Sequence, residues 1–166
     1  MSAPQRDTLT SYLIQVCGLT LPRRPWVDPH LWLAVLAAWP VWWALGHWMG
    51  DQMHLPTSMV AWLAFVLWQP VLEELAFRGL LQGQLRQRWP GVMAWSPLSL
   101  ANMVTTFAFA ASHLVQQTPS WAALVIAPSL VMGYLRDRSD SAWPAIALHV
   151  YYNLGFALVA WWVHVR

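Results

Sequence analysis

Lysine is absent from this chain of 166 residues, and charged residues of every kind make up only 10% of it. A soluble domain averages about 25%, so less than half the usual water-facing charge is available. Cysteine occurs once, as Cys17, which excludes an internal disulfide and a disulfide-stapled scaffold. Cys17 reads as a small apolar residue, with acylation or a reactive thiol as the alternatives. No repeat, low-complexity tract or second domain interrupts the chain. The nine basic residues are all arginine, scattered along it for a net charge of only +2, which is not the basic stripe of a nucleic-acid binder. What the chain has instead is 58% hydrophobic residues and 14 tryptophans. One domain with lipid as its solvent fits this composition, and a disordered protein does not.

A helix needs about 20 mostly apolar residues to cross a bilayer. Leu31–Met49 is apolar apart from His47, with a kink expected at Pro40. A second run starts near Ser58 and continues in helical style through Glu73, Glu74, Arg78, Arg86 and Arg88 until Trp89-Pro90-Gly91. Ser99–Val115, a short Trp121–Leu135 and a full-length Trp143–Val163 follow. Thr8–Leu21 has apolar residues at Leu9, Tyr12, Leu13, Val16 and Leu19, the spacing of an amphipathic helix at the interface. It lacks the basic start and long apolar core of a signal peptide. The expectation is an all-α membrane bundle of about five spans. Residues 1–30 form the N-terminal interfacial segment, residues 31–166 the helical domain, and residues 58–163 its motif-bearing core.

Arg6, Arg23, Arg24, Arg86, Arg88, Arg136 and Arg138 fall on one side of these spans and only Arg166 on the other. That bias predicts a multi-pass inner-membrane protein with a cytoplasmic N-terminus. Tryptophans near span ends, such as Trp26, Trp48, Trp95 and Trp143, suit interfacial belts, whereas Trp62 and Trp68 sit mid-span and read as packing.

Charged side chains in hydrocarbon cost at least about 2.5–3.5 kcal/mol on insertion scales, so they mark sites or ion pairs. Glu74 and Arg78 are one turn apart and can pair, which by itself is the pattern of a structural ion pair. Glu73 points about 100° away with no partner in its own helix. Phe109 and His113 share a face of the third span, and His149 and Asn153 share a face of the fifth. A lone membrane histidine is more often packing than chemistry, and an asparagine alone can be interhelical glue. An unpaired glutamate, two histidines and an asparagine in register on three spans are a costly set for packing alone. Counting at 1.5 Å per residue puts Glu73 and His113 both ~21–23 Å from the turn around Pro90–Pro97, so they can face each other. The same count leaves His149 lower unless the fifth span starts nearer Arg138. His30, His47, His54 and His164 lie at span ends, and Asn102, Thr105 and Thr106 read as helix-packing contacts.

Several chemistries can use such residues. Ser112 adjoins His113 but points away from it, and no Gly-x-Ser-x-Gly elbow exists. Glu73, His113 and His149 could ligate zinc, yet there is no His-Glu-x-x-His and no carboxylate placed to support both histidines. A water nucleophile uses the whole set. A desolvated glutamate is a stronger base, a histidine holds the same water, and a second histidine and an amide donate to the developing oxyanion.

Glu73-Glu74-Leu75-Ala76-Phe77-Arg78-Gly79 resembles the EExxFRG motif of the CPBP intramembrane proteases, the group containing CAAX prenyl endopeptidases and bacteriocin-processing proteins. Phe109–His113 resembles their FxxxH motif and His149–Asn153 their HxxxN motif, all in order over roughly Ala64–Ala157. The resemblance implies a glutamic protease in which Glu73 and His113 activate water. It also implies that His149 with Asn153 forms the oxyanion site and that Glu74 and Arg78 brace the motif, with Phe109 in support. No metal or other cofactor is implied. The short, tryptophan-rich chain is more similar to bacterial C-terminal sorting-signal proteases, such as the JDVT-CTERM system enzyme and the myxosortases, than to the longer CAAX endopeptidases. The partners expected are the lipid bilayer and a protein substrate with an apolar C-terminal segment, with no nucleic acid. A CAAX-like prenyl-peptide endopeptidase and a non-catalytic immunity or scaffold protein remain as alternatives. A proton-coupled transporter would also use buried Glu and His, but no inverted repeat is present.

Overall fold

Helix starts in this chain are written by short polar residues followed by apolar runs. Asp28, with Pro29 behind it, accepts the His30 N–H at 3.0 Å; Ser58 accepts that of Ala61 and Ser99 that of Asn102. The computed structural model describes residues 9–22, 24–53, 56–90 and 97–165. Within them the helices are α1 (Leu9–Val16), α2 (Pro29–Trp48), α3 (Met59–Arg88), α4 (Leu100–His113), α5 (Pro119–Leu124), α6 (Ile126–Ser139) and α7 (Trp143–Val165). No strand occurs among the described residues, so the all-α expectation holds. Arg6, Thr8, Arg23, His54, Gly91, Trp95 and Arg166 lie outside the described residues.

The 30 residues of α3 and the 23 of α7 are long and apolar enough to cross a membrane. They pack against each other, α7 also packs on α2 and α6, and α4 packs on α6. The core is small: Ala34, Met132, Leu135, Ala145 and Leu148, with Tyr151 and Tyr152 against it. Both tyrosines tie α7 to α2, donating to the carbonyls of Val35 and Ala34 at 3.3 and 3.1 Å. Pro40 sits inside α2 without ending it.

Three expectations change in detail. The amphipathic helix is shorter than Thr8–Leu21 and ends where Gly18 takes φ +62°. The expected fourth span is two helices, α5 and α6, divided at Val125, and Arg136 and Arg138 belong to α6 rather than to a loop after it. Trp68 is 62% exposed, so it is not a packing residue inside the bundle.

Helix α3 also departs from α geometry twice, with π-helical segments at Ala64–Trp68 and Leu75–Leu81. Such insertions concentrate at functional sites. The second overlaps the Glu73–Gly79 motif over residues 75–79.

Candidate active site

Glu74 and Arg78, one turn apart on α3, are both fully buried and pair at 3.1 Å. Arg78 reaches further, donating through Nη2 to the carbonyl and hydroxyl of Ser129 on α6 at 3.0 and 2.6 Å. Ser129 donates to Thr106, and Thr106 to Asn102, whose amide donates to Leu130 O. The packing role expected for Asn102 and Thr106 is therefore a polar chain from α4 to the motif arginine. A Cβ at Gly133 would collide with the Asn102 side chain, so a glycine there lets α4 and α6 approach.

The ladder continues down α3. Arg78, Gln82 and Arg86 advance by four residues, and so do their partners Ser129, Gly133 and Asp137. Gln82 donates to Gly133 O at 2.9 Å and to Asp137 at 2.8 Å; Arg86 pairs with Asp137 at 3.2 Å and with Asp140 at 2.6 Å. Sequence reasoning did not single out Gln82, Ser129 or Asp137. The matched four-residue steps were the available signal.

His149 of α7 stands between the two glutamates. Its Nδ1 lies 2.8 Å from Glu74 Oε1, and its Nε2 lies 3.9 Å from Glu73 Oε2. An ionised carboxylate only accepts, so this contact assigns the ring proton to Nδ1 and turns Nε2 toward Glu73. The low position that counting gives His149 is thus corrected. The contact with Glu74 places His149 at the level of the motif although α7 starts only six residues before it, at Trp143. Glu73 keeps 36% of its side chain exposed, whereas Glu74 keeps none. Adjacent carboxylates therefore have different surroundings, one open and one locked.

His113 ends α4, where its Nδ1 lies 2.9 Å from Phe109 O. A carbonyl also only accepts, so Nε2 is left as the basic nitrogen. No hydrogen bond or ion pair joins His113 directly to Glu73 among the described residues. The link between the histidines is Phe109, fully buried, with its ring centroid 4.6 Å from that of His113 and 6.0 Å from that of His149. Phe77 meets it edge-on at 5.1 Å, and the Arg78 guanidinium carbon lies 4.6 Å from its centroid. Asn153 donates to Phe65 O at 2.9 Å, which commits one of its two N–H groups.

Among the described residues no three His, Cys, Asp or Glu side chains gather as metal ligands. Cys17 is free and buried beneath α3, near Gly79.

This is a membrane-type helical bundle with a buried Glu–His–Arg cluster opening through a second glutamate. Residues 55–155 match the Rce1-like family, described as type II CAAX prenyl endopeptidase Rce1-like, and the chain belongs to that family. Its activity in general terms is accordingly that of a CAAX-type intramembrane endopeptidase. No curated protein and no solved structure matches the chain.

Proposed function

We propose that the protein is a glutamic-type endopeptidase that hydrolyses a peptide bond near the C-terminus of a membrane-associated or exported protein. The observation that carries this reading is the contrast between the two glutamates. Glu74 is locked by Arg78 and His149, while Glu73 is open and has His149 Nε2 at 3.9 Å. An unlocked carboxylate open to water suits a base that takes a proton from it. His113, with Nε2 free, holds the same water. His149 and the second N–H of Asn153 donate to the oxyanion as the carbonyl becomes tetrahedral. His149 enters that step as the imidazolium, its second proton taken from solvent, so that Nε2 donates while Nδ1 stays on Glu74.

The preferred substrate is a C-terminal sorting signal: an apolar segment followed by a basic end. The chain crosses the inner membrane several times with its N-terminus in the cytoplasm, and Glu73 is reached from the outer side. The family name favours a second reading, a prenylated C-terminal peptide reached from the cytoplasm. Purified protein in lipid nanodiscs, offered a tail of each kind and analysed by mass spectrometry, tests both. Cleavage of the apolar-basic tail alone supports sorting-signal processing, and cleavage of the farnesylated peptide alone supports the second reading. Cleavage of neither, in folded protein, would count against the endopeptidase assignment.

A further inference from the structure

The two π segments of α3 share a device. At the first, the Gln69 N–H goes to Ala64 O, one residue earlier than an α-helical bond, which leaves Phe65 O without its α partner. The next residue, Pro70, has no N–H to give. Asn153 supplies the donor instead. At the second, the Gln82 N–H goes to Phe77 O, which takes the α partner from Arg78 O. Here the donor comes from Arg136 of α6, whose Nε lies 3.2 Å away. In each case a carbonyl displaced by the π turn is taken by a side chain from another helix.

Arg136 has a second partner. It is 1% exposed, and its Nη2 donates to Val16 O at 2.9 Å, at the C-terminal end of the amphipathic helix α1. Two glycines make this approach possible. A Cβ on Gly18, already at φ +62°, would stand 2.6 Å from Arg136 Cζ, and one on Gly83 would collide with Val16 O. The rest of the N-terminal segment is fastened to the start of α7: Gly18 O accepts from Ala142 N, Leu19 O from Trp143 Nε1 and Thr20 O from Ser141 Oγ. One guanidinium therefore joins the interfacial segment to the carbonyl of the motif arginine, whose own side chain holds Glu74.

Resting on the functional reading above, we infer that Arg136 is a positioning residue for the catalytic cluster, with the Val16–Gly18 segment as its counter-anchor. It fixes the π turn at Arg78, and through Arg78 and Glu74 it sets the orientation of His149. The interfacial segment is in this way a working part of the catalytic scaffold. Burial explains why an arginine is used. A planar fork donates to two carbonyls in fixed directions, whereas the ammonium of a lysine is a point charge on a flexible stem.

The test compares the parent with Arg136→Gln, Gly18→Ala and Trp143→Phe in detergent. It reads the His149 ring nitrogens by 15N NMR with labelled histidine, assigned through a His149 variant, and kcat and KM on a fluorogenic peptide carrying the apolar tail with its basic end. Arg136→Gln and Gly18→Ala are expected to shift the Nδ1 signal of His149 and lower kcat by roughly 10²-fold with KM little changed, as displaced catalytic groups do. Trp143→Phe removes a different fastening of the same segment and is expected to lower the Tm while leaving the ring signals alone. Unchanged His149 signals in a folded Arg136→Gln or Gly18→Ala protein overturn the inference. So does failure of both to fold, which makes Arg136 a structural residue only. The ring signals are read in the resting protein, so a parent that cleaves nothing counts against the proposed function and leaves this inference to be decided by NMR.

Discussion

His149 Nδ1 lies 2.8 Å from Glu74 Oε1, a contact between residues 75 apart in the chain. It divides the adjacent glutamates, the only two in the sequence, into an orienting group and a free one. Different substitutions should therefore fail in different ways.

Glu73→Gln keeps size and polarity but removes the carboxylate that the proposed mechanism uses as its base. The variant is expected to insert and fold with an unchanged Tm and to lose at least about 10²-fold in turnover, the lower end for a general base. Cleavage at the parental rate in the nanodisc assay would remove Glu73 from the mechanism.

Glu74→Gln and Arg78→Ala should behave as stability variants as well as activity variants. Each leaves a buried charge without its partner, a loss of about 3–5 kcal/mol in comparable pairs. Thermal unfolding in detergent and yield of monodisperse protein are the measurements. A fully stable, fully active Arg78→Ala protein would contradict the bracing role.

A water-nucleophile mechanism run by Glu73 and His113 requires no metal. Activity of the purified protein is expected to survive prolonged treatment with EDTA or phenanthroline. Stoichiometric zinc, with loss of activity on stripping and recovery on re-addition, would replace the glutamic mechanism with a zinc one.

Stability has an acid-side dependence at the head of α2. Burial pushes the Asp28 carboxyl up, but hydrogen bonds from Arg138 and from the His30 N–H and ring outweigh it, leaving the pKa below the ordinary 3.8. Because the folded value is the lower one, this stabilisation is fully present above about pH 5 and is lost as pH falls through 3.8 and then through the folded value. Tm measured from pH 7 downward should fall more for the parent than for Asp28→Asn. Parallel curves would show that the Asp28–Arg138 pair, 2.7 Å apart, contributes nothing to this dependence.

Access to the site can be read directly. In a Cys17→Ser background, cysteines at Leu72 and Ser112 should react with a membrane-impermeant thiol reagent from the outer side. Labelling from the cytoplasmic side alone would favour the prenyl-peptide reading.

The sequence by itself determined the class and the residues of the candidate site. Low charge and long apolar runs specified helices in lipid, and 3.6-residue periodicity put Glu74 with Arg78, Phe109 with His113 and His149 with Asn153 on shared faces. These are relations within one helix, fixed by local geometry. Only the tertiary structure decided that His149 meets Glu74, that Arg78 continues into Ser129 and Asn102, and that Arg136 reaches both Arg78 O and Val16 O. Those contacts depend on how far one helix slides and rotates against another. Two π turns add to the difficulty, because a bond closing on the fifth residue shifts every later face away from its 3.6-residue position. The carbonyls those turns displace are backbone atoms, identical in every residue, so no side-chain pattern could announce which partner would take them.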